Sequence, residues 1–267
     1  MGEHLANAPL VEIIAELRWS PKLEGAVTAG PNLPSIFPTN PVGLDEFITQ
    51  FAAGVPSAYS DNERLVPPNF PLMMHQPVYR LRQRAQAKTA SMFQVGAGFF
   101  SANATPPYES WEDFRNVVRD GVTSLLSARS RQEHDLPFAI TLRYIDAFNQ
   151  RHTEGRTLAK FINEVLGITL TLPVGLTQHL MPDSEPKPTL QCQIPMSKGM
   201  VMSFSVGEGI VNGQSVILTD TSVSTALDVP SNIDAVMETL EFAHQSVSAS
   251  FKAMTKPIHH LMAGKGE

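Results

Sequence analysis

Apolar and polar residues alternate from Leu10 to Trp19. Val11, Ile13, Ala15, Leu17 and Trp19 share one parity, and Glu12, Glu16 and Arg18 share the other. A period of two marks a half-buried strand, and Pro9 and Pro21 bracket it. The alternation returns over Phe138–Phe148, over Leu190, Cys192, Ile194 and Met196, and over Met200, Met202, Phe204 and Val206. Ser197-Lys198-Gly199 turns between the last two runs. Asn212-Gly213 is a hairpin signal that leads into a strand over Gln214–Val223. Val78–Arg84 and Met92–Phe100 read as two further strands, joined by a loop around Gln86–Ala90. Cys192 falls on an apolar parity and is expected to be buried and inert.

Other stretches follow a helical period. Leu44–Ala53 places Phe47, Ile48 and Phe51 on one side. A helix over Trp111–Ser127 aligns Trp111, Phe114, Val118, Val122 and Leu125 in one stripe. Leu158–Leu166 is a short helix closed by Gly167, and Asn232–Thr255 is a long one. Both longer helices open with Ser-x-x-Asp, at Ser110–Asp113 and Ser231–Asp234, where a side-chain oxygen caps an unpaired backbone N–H. The segment after Thr255 is expected to be loose. These elements predict an α+β fold: antiparallel sheets with helices packed on one face, in two strand-then-helix halves. The expected division is residues 1–155 and 156–267. The first half carries a Pro-rich excursion over 20–77 that holds ten of the 21 prolines, so little of it is expected to be regular.

Composition narrows the function classes. The chain of 267 residues is 42% hydrophobic and 17% charged, enough apolar material for a sizeable core. Its net charge of −6 argues against a chain-wide basic surface for nucleic acid, while leaving room for a local basic patch. With Cys192 as the only cysteine, no intramolecular disulfide forms and no zinc site with two cysteines exists. The opening MGEHLANAPLVEII lacks a basic region followed by a long apolar stretch, so no signal peptide is expected. No apolar run approaches the length of a bilayer span. A cytoplasmic protein with no membrane partner is the expectation.

Catalytic signatures are scarce. Val95–Ser101, VGAGFFS, has Ser101 where a dinucleotide fingerprint has its third glycine, and a Pro-rich loop separates it from the helix. Gly96 and Gly98 are better read as a bulge or a close backbone approach. There is no Gly-x-Ser-x-Gly elbow, no phosphate-binding loop motif and no His-Glu-x-x-His. No catalytic residue, metal ligand or cofactor is assigned.

Three features are candidates for binding. Arg80, Arg82 and Arg84 share one strand face, about 7 Å apart per two-residue step, and suit phosphate or carboxylate recognition. Arg143 either joins this anion platform or pairs with Asp146. The second feature is the hinge between strand and helix, where Pro106 and Pro107 stiffen the approach to Tyr108 and Trp111. The third is the final helix, where Met237, Leu240, His244, Val247, Phe251 and Met254 form a seam in steps of three and four. That seam packs on its own sheet or forms a homo-oligomer interface. In the first case His244 is a satisfied, partly buried histidine.

NAPLVEIIAELRW (7–19), FQVGAGFFSANATPPYESWEDFR (93–115) and LRYIDAF (142–148) resemble motifs found, in that order, in a sporadically distributed family of uncharacterised bacterial proteins. The opening Asn-Ala-Pro-Leu-Val-Glu and the Tyr-x-x-Trp-x-x-Phe hinge are the most specific parts. The family often has Asn at the place of Asp146 and usually lacks so long a Pro-rich stretch. The resemblance implies no catalytic residue or cofactor. Its patchy distribution implies an antitoxin-like or phage-defence accessory setting.

The leading expectation is a non-enzymatic interaction protein with a protein partner, engaged through Tyr108, Trp111, His244 and Phe251. The alternative is a nucleotide- or RNA-binding protein with nuclease activity. It would use Arg80, Arg82, Arg84 and Arg143 as the anion platform, Tyr79 and Tyr144 for stacking, and acid–base groups drawn from His75, Asp146 or His152.

Overall fold

The computed structural model describes residues 5, 7–21, 36–37, 41–83, 90–108, 110–181 and 184–263. In chain order the strands are β1 (Leu10–Arg18), β2 (Ile36–Phe37), β3 (Asp61–Arg64), β4 (Leu72–Met73), β5 (Tyr79–Arg82), β6 (Ala90–Gly96), β7 (Phe99–Thr105), β8 (Ala139–Phe148), β9 (Leu190–Met196), β10 (Met200–Val211) and β11 (Gln214–Thr225). The helices are α1 (Leu44–Gly54), α2 (Trp111–Ala128), α3 (Gln150–Thr153), α4 (Leu158–Glu164), α5 (Val174–Thr177), α6 (Ile233–Thr255) and α7 (His259–Met262).

Nine strands form one antiparallel sheet in the order β3-β5-β6-β7-β1-β8-β11-β10-β9, and β2 pairs with β4 apart from it. The fold is α+β. The opening strand sits at the centre, because β1 inserts between β7 and β8 with Ala15 opposite both Ala102 and Leu142. Strand β8 continues onto β11, with Leu142 opposite Val223, so the sheet runs without a break from residues before 155 to residues after it.

One face of the sheet carries the core. Ile13, Ala15, Leu17, Phe93, Phe100, Leu142 and Val223 are buried there against α1, α2 and α6. A second cluster joins Phe148, Phe204 and Ile217 to Phe161 and Ile162 of α4 and to Ile258 and Met262. The other parity faces away and is polar: Glu12, Glu16 and Arg18 on β1, Arg143 on β8, Asp220 and Ser222 on β11.

Several local expectations change. Met92–Phe100 is not one strand. Ala97-Gly98 turns it into the β6–β7 hairpin, with Gly96 opposite Phe99 and Gly98 at φ 66°. Gly96 is a close approach, since a Cβ there would stand 1.9 Å from the Gln76 carbonyl oxygen. The Asn212-Gly213 hairpin forms with both residues at positive φ, the condition its turn requires. Ser110 caps α2 as expected, its oxygen accepting from Asp113 N at 3.1 Å. The cap of α6 moves one residue on. Asn232 accepts from Ala235 N, while the Ser231 hydroxyl accepts from the buried Arg129.

The segment after Thr255 is docked rather than loose as far as Ala263, because Ile258 and Met262 are fully buried and Asn7 N donates to Met262 O. Cys192 is exposed, not buried: β9 is the sheet's edge, and of its apolar parity Cys192 and Ile194 are exposed while Leu190 and Met196 are half-buried. Of the Pro-rich segment, residues 22–35 and 38–40 lie outside the described residues, as do residues 86–89 of the expected β5–β6 loop. The rest is more regular than expected. Strand β3 reads Asp-Asn-Glu-Arg and has no apolar alternation to announce it.

Candidate functional site

The hinge and the final helix meet. Strand β7 ends at Thr105, Pro106 and Pro107 follow, and Trp111 opens α2 beneath the Ser110 cap. The Trp111 ring stacks on His244 of α6, with centroids 4.3 Å apart and planes 4° apart. Its indole N–H donates to Glu241 Oε2 at 2.9 Å. Trp111 therefore anchors α2 to α6. His244 is in turn tied to the sheet, since its Nδ1 and the Tyr144 hydroxyl share a 2.7 Å hydrogen bond. Tyr108 packs edge-on against Phe114 and interacts with the Tyr144 phenol.

A groove of about 210 Å³ opens between these groups. Tyr108, Trp111, His244 and Phe251 all line it, so the four interaction residues expected from sequence fall on one surface. Leu10 and Tyr144 contribute from the sheet and Val247 from α6. Burial lowers the His244 pKa below the usual histidine value, with Glu241 and Glu112 partly opposing.

Asp146 is the unexpected member. It shares the core-facing parity of β8 with Leu142 and Tyr144, is 5% exposed, and lines the groove. Among the described residues its side chain has no hydrogen-bond or ion-pair partner. Burial alone raises its pKa from 3.8 to about 7. The same burial pushes the Tyr144 phenol well above its ordinary value. The signal was present in the sequence, where LRYIDAF puts a carboxylate on the apolar parity.

The arginines are arranged differently. Arg80 and Arg82 lie on β5 opposite β3, where Glu63 Oε2 takes Arg82 Nη2 at 2.5 Å and Arg80 Nη1 at 3.4 Å. Arg82 also faces Asp61 at 3.7 Å. Arg143 makes a two-pronged pair with Asp220 on β11, with Nε to Oδ1 at 2.8 Å, and not with Asp146, which points to the other face. Arg82 and Arg143 share a face and a cross-strand row, but β6, β7 and β1 stand between them, a separation of about 19 Å. Arg84 lies outside the described residues. Of the acid–base candidates, His75 Nε2 bonds the Trp19 carbonyl oxygen and His152 Nε2 that of Asn7. They do not converge on Asp146 into a catalytic set.

Segment 168–181, including α5, was not singled out in the sequence. Val174, Leu176 and Met181 are at least 70% exposed, and Leu170, Leu172 and Leu180 are exposed too. Among the described residues, no group of three or more His, Cys, Asp or Glu side chains is placed to hold a metal ion, and no helix is long and apolar enough to cross a membrane. Comparisons with protein-family models, with curated proteins and with solved structures return no match.

Proposed function

We propose that this chain is a non-enzymatic interaction protein whose binding element is the hinge groove. The carrying observation is the groove itself: aromatic and apolar residues from β1, β8, α2 and α6 line it together with a buried carboxyl that has no partner among the described residues. Such a recess is a common form of binding site. Six exposed large apolar side chains within 168–181 favour a protein partner, since apolar residues gathered on a surface often mark an interface. The resemblance adds the expectation of a cytoplasmic, antitoxin-like or defence-accessory role. Nucleic-acid binding by the arginine face has less support, because Arg80, Arg82 and Arg143 already sit on carboxylates. The test is affinity capture with the tagged full chain, identifying both protein and nucleic acid. A stoichiometric protein retained by the wild type and lost with Ser248→Trp, which fills the groove, supports the reading. Nucleic acid that survives Ser248→Trp and disappears with Arg143→Ala would move the function to the open face of the sheet.

A further inference from the structure

We infer that the hinge groove receives a lysine side chain of the partner protein, with the Asp146 carboxylate as the counter-charge for its ammonium. This rests on the groove being the partner-binding element, and it specifies what that element recognises.

The first ground is Asp146. Buried polar groups are nearly always paired, and an isolated buried carboxylate is costly. Asp146 is 5% exposed yet has no hydrogen-bond or ion-pair partner among the described residues, and it lines the groove. A cation arriving through the groove would supply what the fold leaves out. Lys252 does not fill this role. It stands exposed on the rim and makes no ion pair with Asp146.

The second ground is the shape of the lining. Leu10, Val247 and Phe251 give the groove an apolar lining, suited to a long aliphatic stem that carries its charge at the tip. Trp111, Tyr108 and Tyr144 also line the groove, and an aromatic lining favours a cation. The third ground is donor arithmetic. An ammonium has three donors, and one carboxylate with the phenol oxygens of Tyr108 and Tyr144 can accept them. A guanidinium brings five donors in a wide planar fork, and of the two carboxylates that line the groove only that of Asp146 is buried. Glu112 at the rim adds a second negative charge on the approach.

The test uses the full chain and three blocked tripeptides with glycine on either side: a central lysine, a central norleucine (the same stem without the amine) and a central arginine. Binding is followed by the NMR shift of the Trp111 indole N–H. The lysine peptide should give a saturable shift, and the norleucine peptide should bind about tenfold more weakly or worse, the usual worth of a charge-assisted hydrogen bond. Asp146→Asn should bring the lysine peptide down to the norleucine level. Equal binding of lysine and norleucine peptides would overturn the cation assignment while leaving the groove as a binding element. Tighter binding of the arginine peptide would overturn the choice of lysine. If none of the three moves the Trp111 signal at millimolar concentration, the groove reading falls with the proposal.

Discussion

Replacing Asp146 by Asn removes a charge that the fold keeps away from water, and the consequence for stability depends on pH. In the folded protein the carboxyl's pKa is about 7, against an ordinary value of 3.8. The folded state therefore holds the proton more tightly than the unfolded chain. As pH rises above about 4 the unfolded chain ionises first, and this group works progressively against folding until pH passes about 7. A difference of about three pK units corresponds to roughly 4 kcal/mol at pH 8. About 2.5 kcal/mol of that accrues between pH 5 and pH 8. The groups around the groove do not cancel it. Tyr144 faces Asp146 from the sheet, and His244, Lys252 and His259 line the groove from the helices, yet burial alone sets the shift. The assay is urea unfolding of wild type and Asp146→Asn at pH 5 and at pH 8, followed by circular dichroism. Asn carries its own burial cost, but that cost is the same at both pH values, so the change in the difference isolates ionisation. The variant should gain about 2.5 kcal/mol on the wild type between the two conditions. A difference that stays flat would mean that Asp146 is solvated or paired in solution, and the argument from an unpartnered buried carboxyl would fail.

Two further outcomes follow from packing. Gly121 lies inside α2, where alanine ordinarily helps a helix by about 1 kcal/mol. A Cβ at this position, however, would stand 2.5 Å from the Phe93 ring and 2.8 Å from that of Phe100. Gly121→Ala should lower stability by about 1–3 kcal/mol in thermal unfolding, and a raised melting temperature would contradict the described packing. Cys192 is exposed on the edge strand β9, so one thiol equivalent should react with Ellman's reagent in the native protein. Reaction only after unfolding would show that the edge is covered.

Much of the local structure was legible because it depends on neighbours in the chain. Period-two alternation located β1, β8 and β10, since a half-buried strand repeats its environment every second residue, and the hairpin signal placed β11. Asn212-Gly213 declared its turn because few residues accept positive φ at two successive positions. The four residues singled out at the hinge and on the last helix line one groove, and their aromatic character and helical spacing were visible beforehand. What lies between elements was not visible. Whether Arg143 meets Asp146 or Asp220 depends on which strand lies beside β8, and that neighbour is β11, some 75 residues further along the chain. The edge position of β9 exposes Cys192 despite its apolar parity, and β3 joins the sheet through backbone pairing with β5, without any hydrophobic pattern. The burial of Asp146 follows the same logic. Its parity was in the sequence, but its desolvation comes from β11 beside it and α6 above it. Periodicity records which way a side chain points, and only the packing of distant segments decides what it meets there.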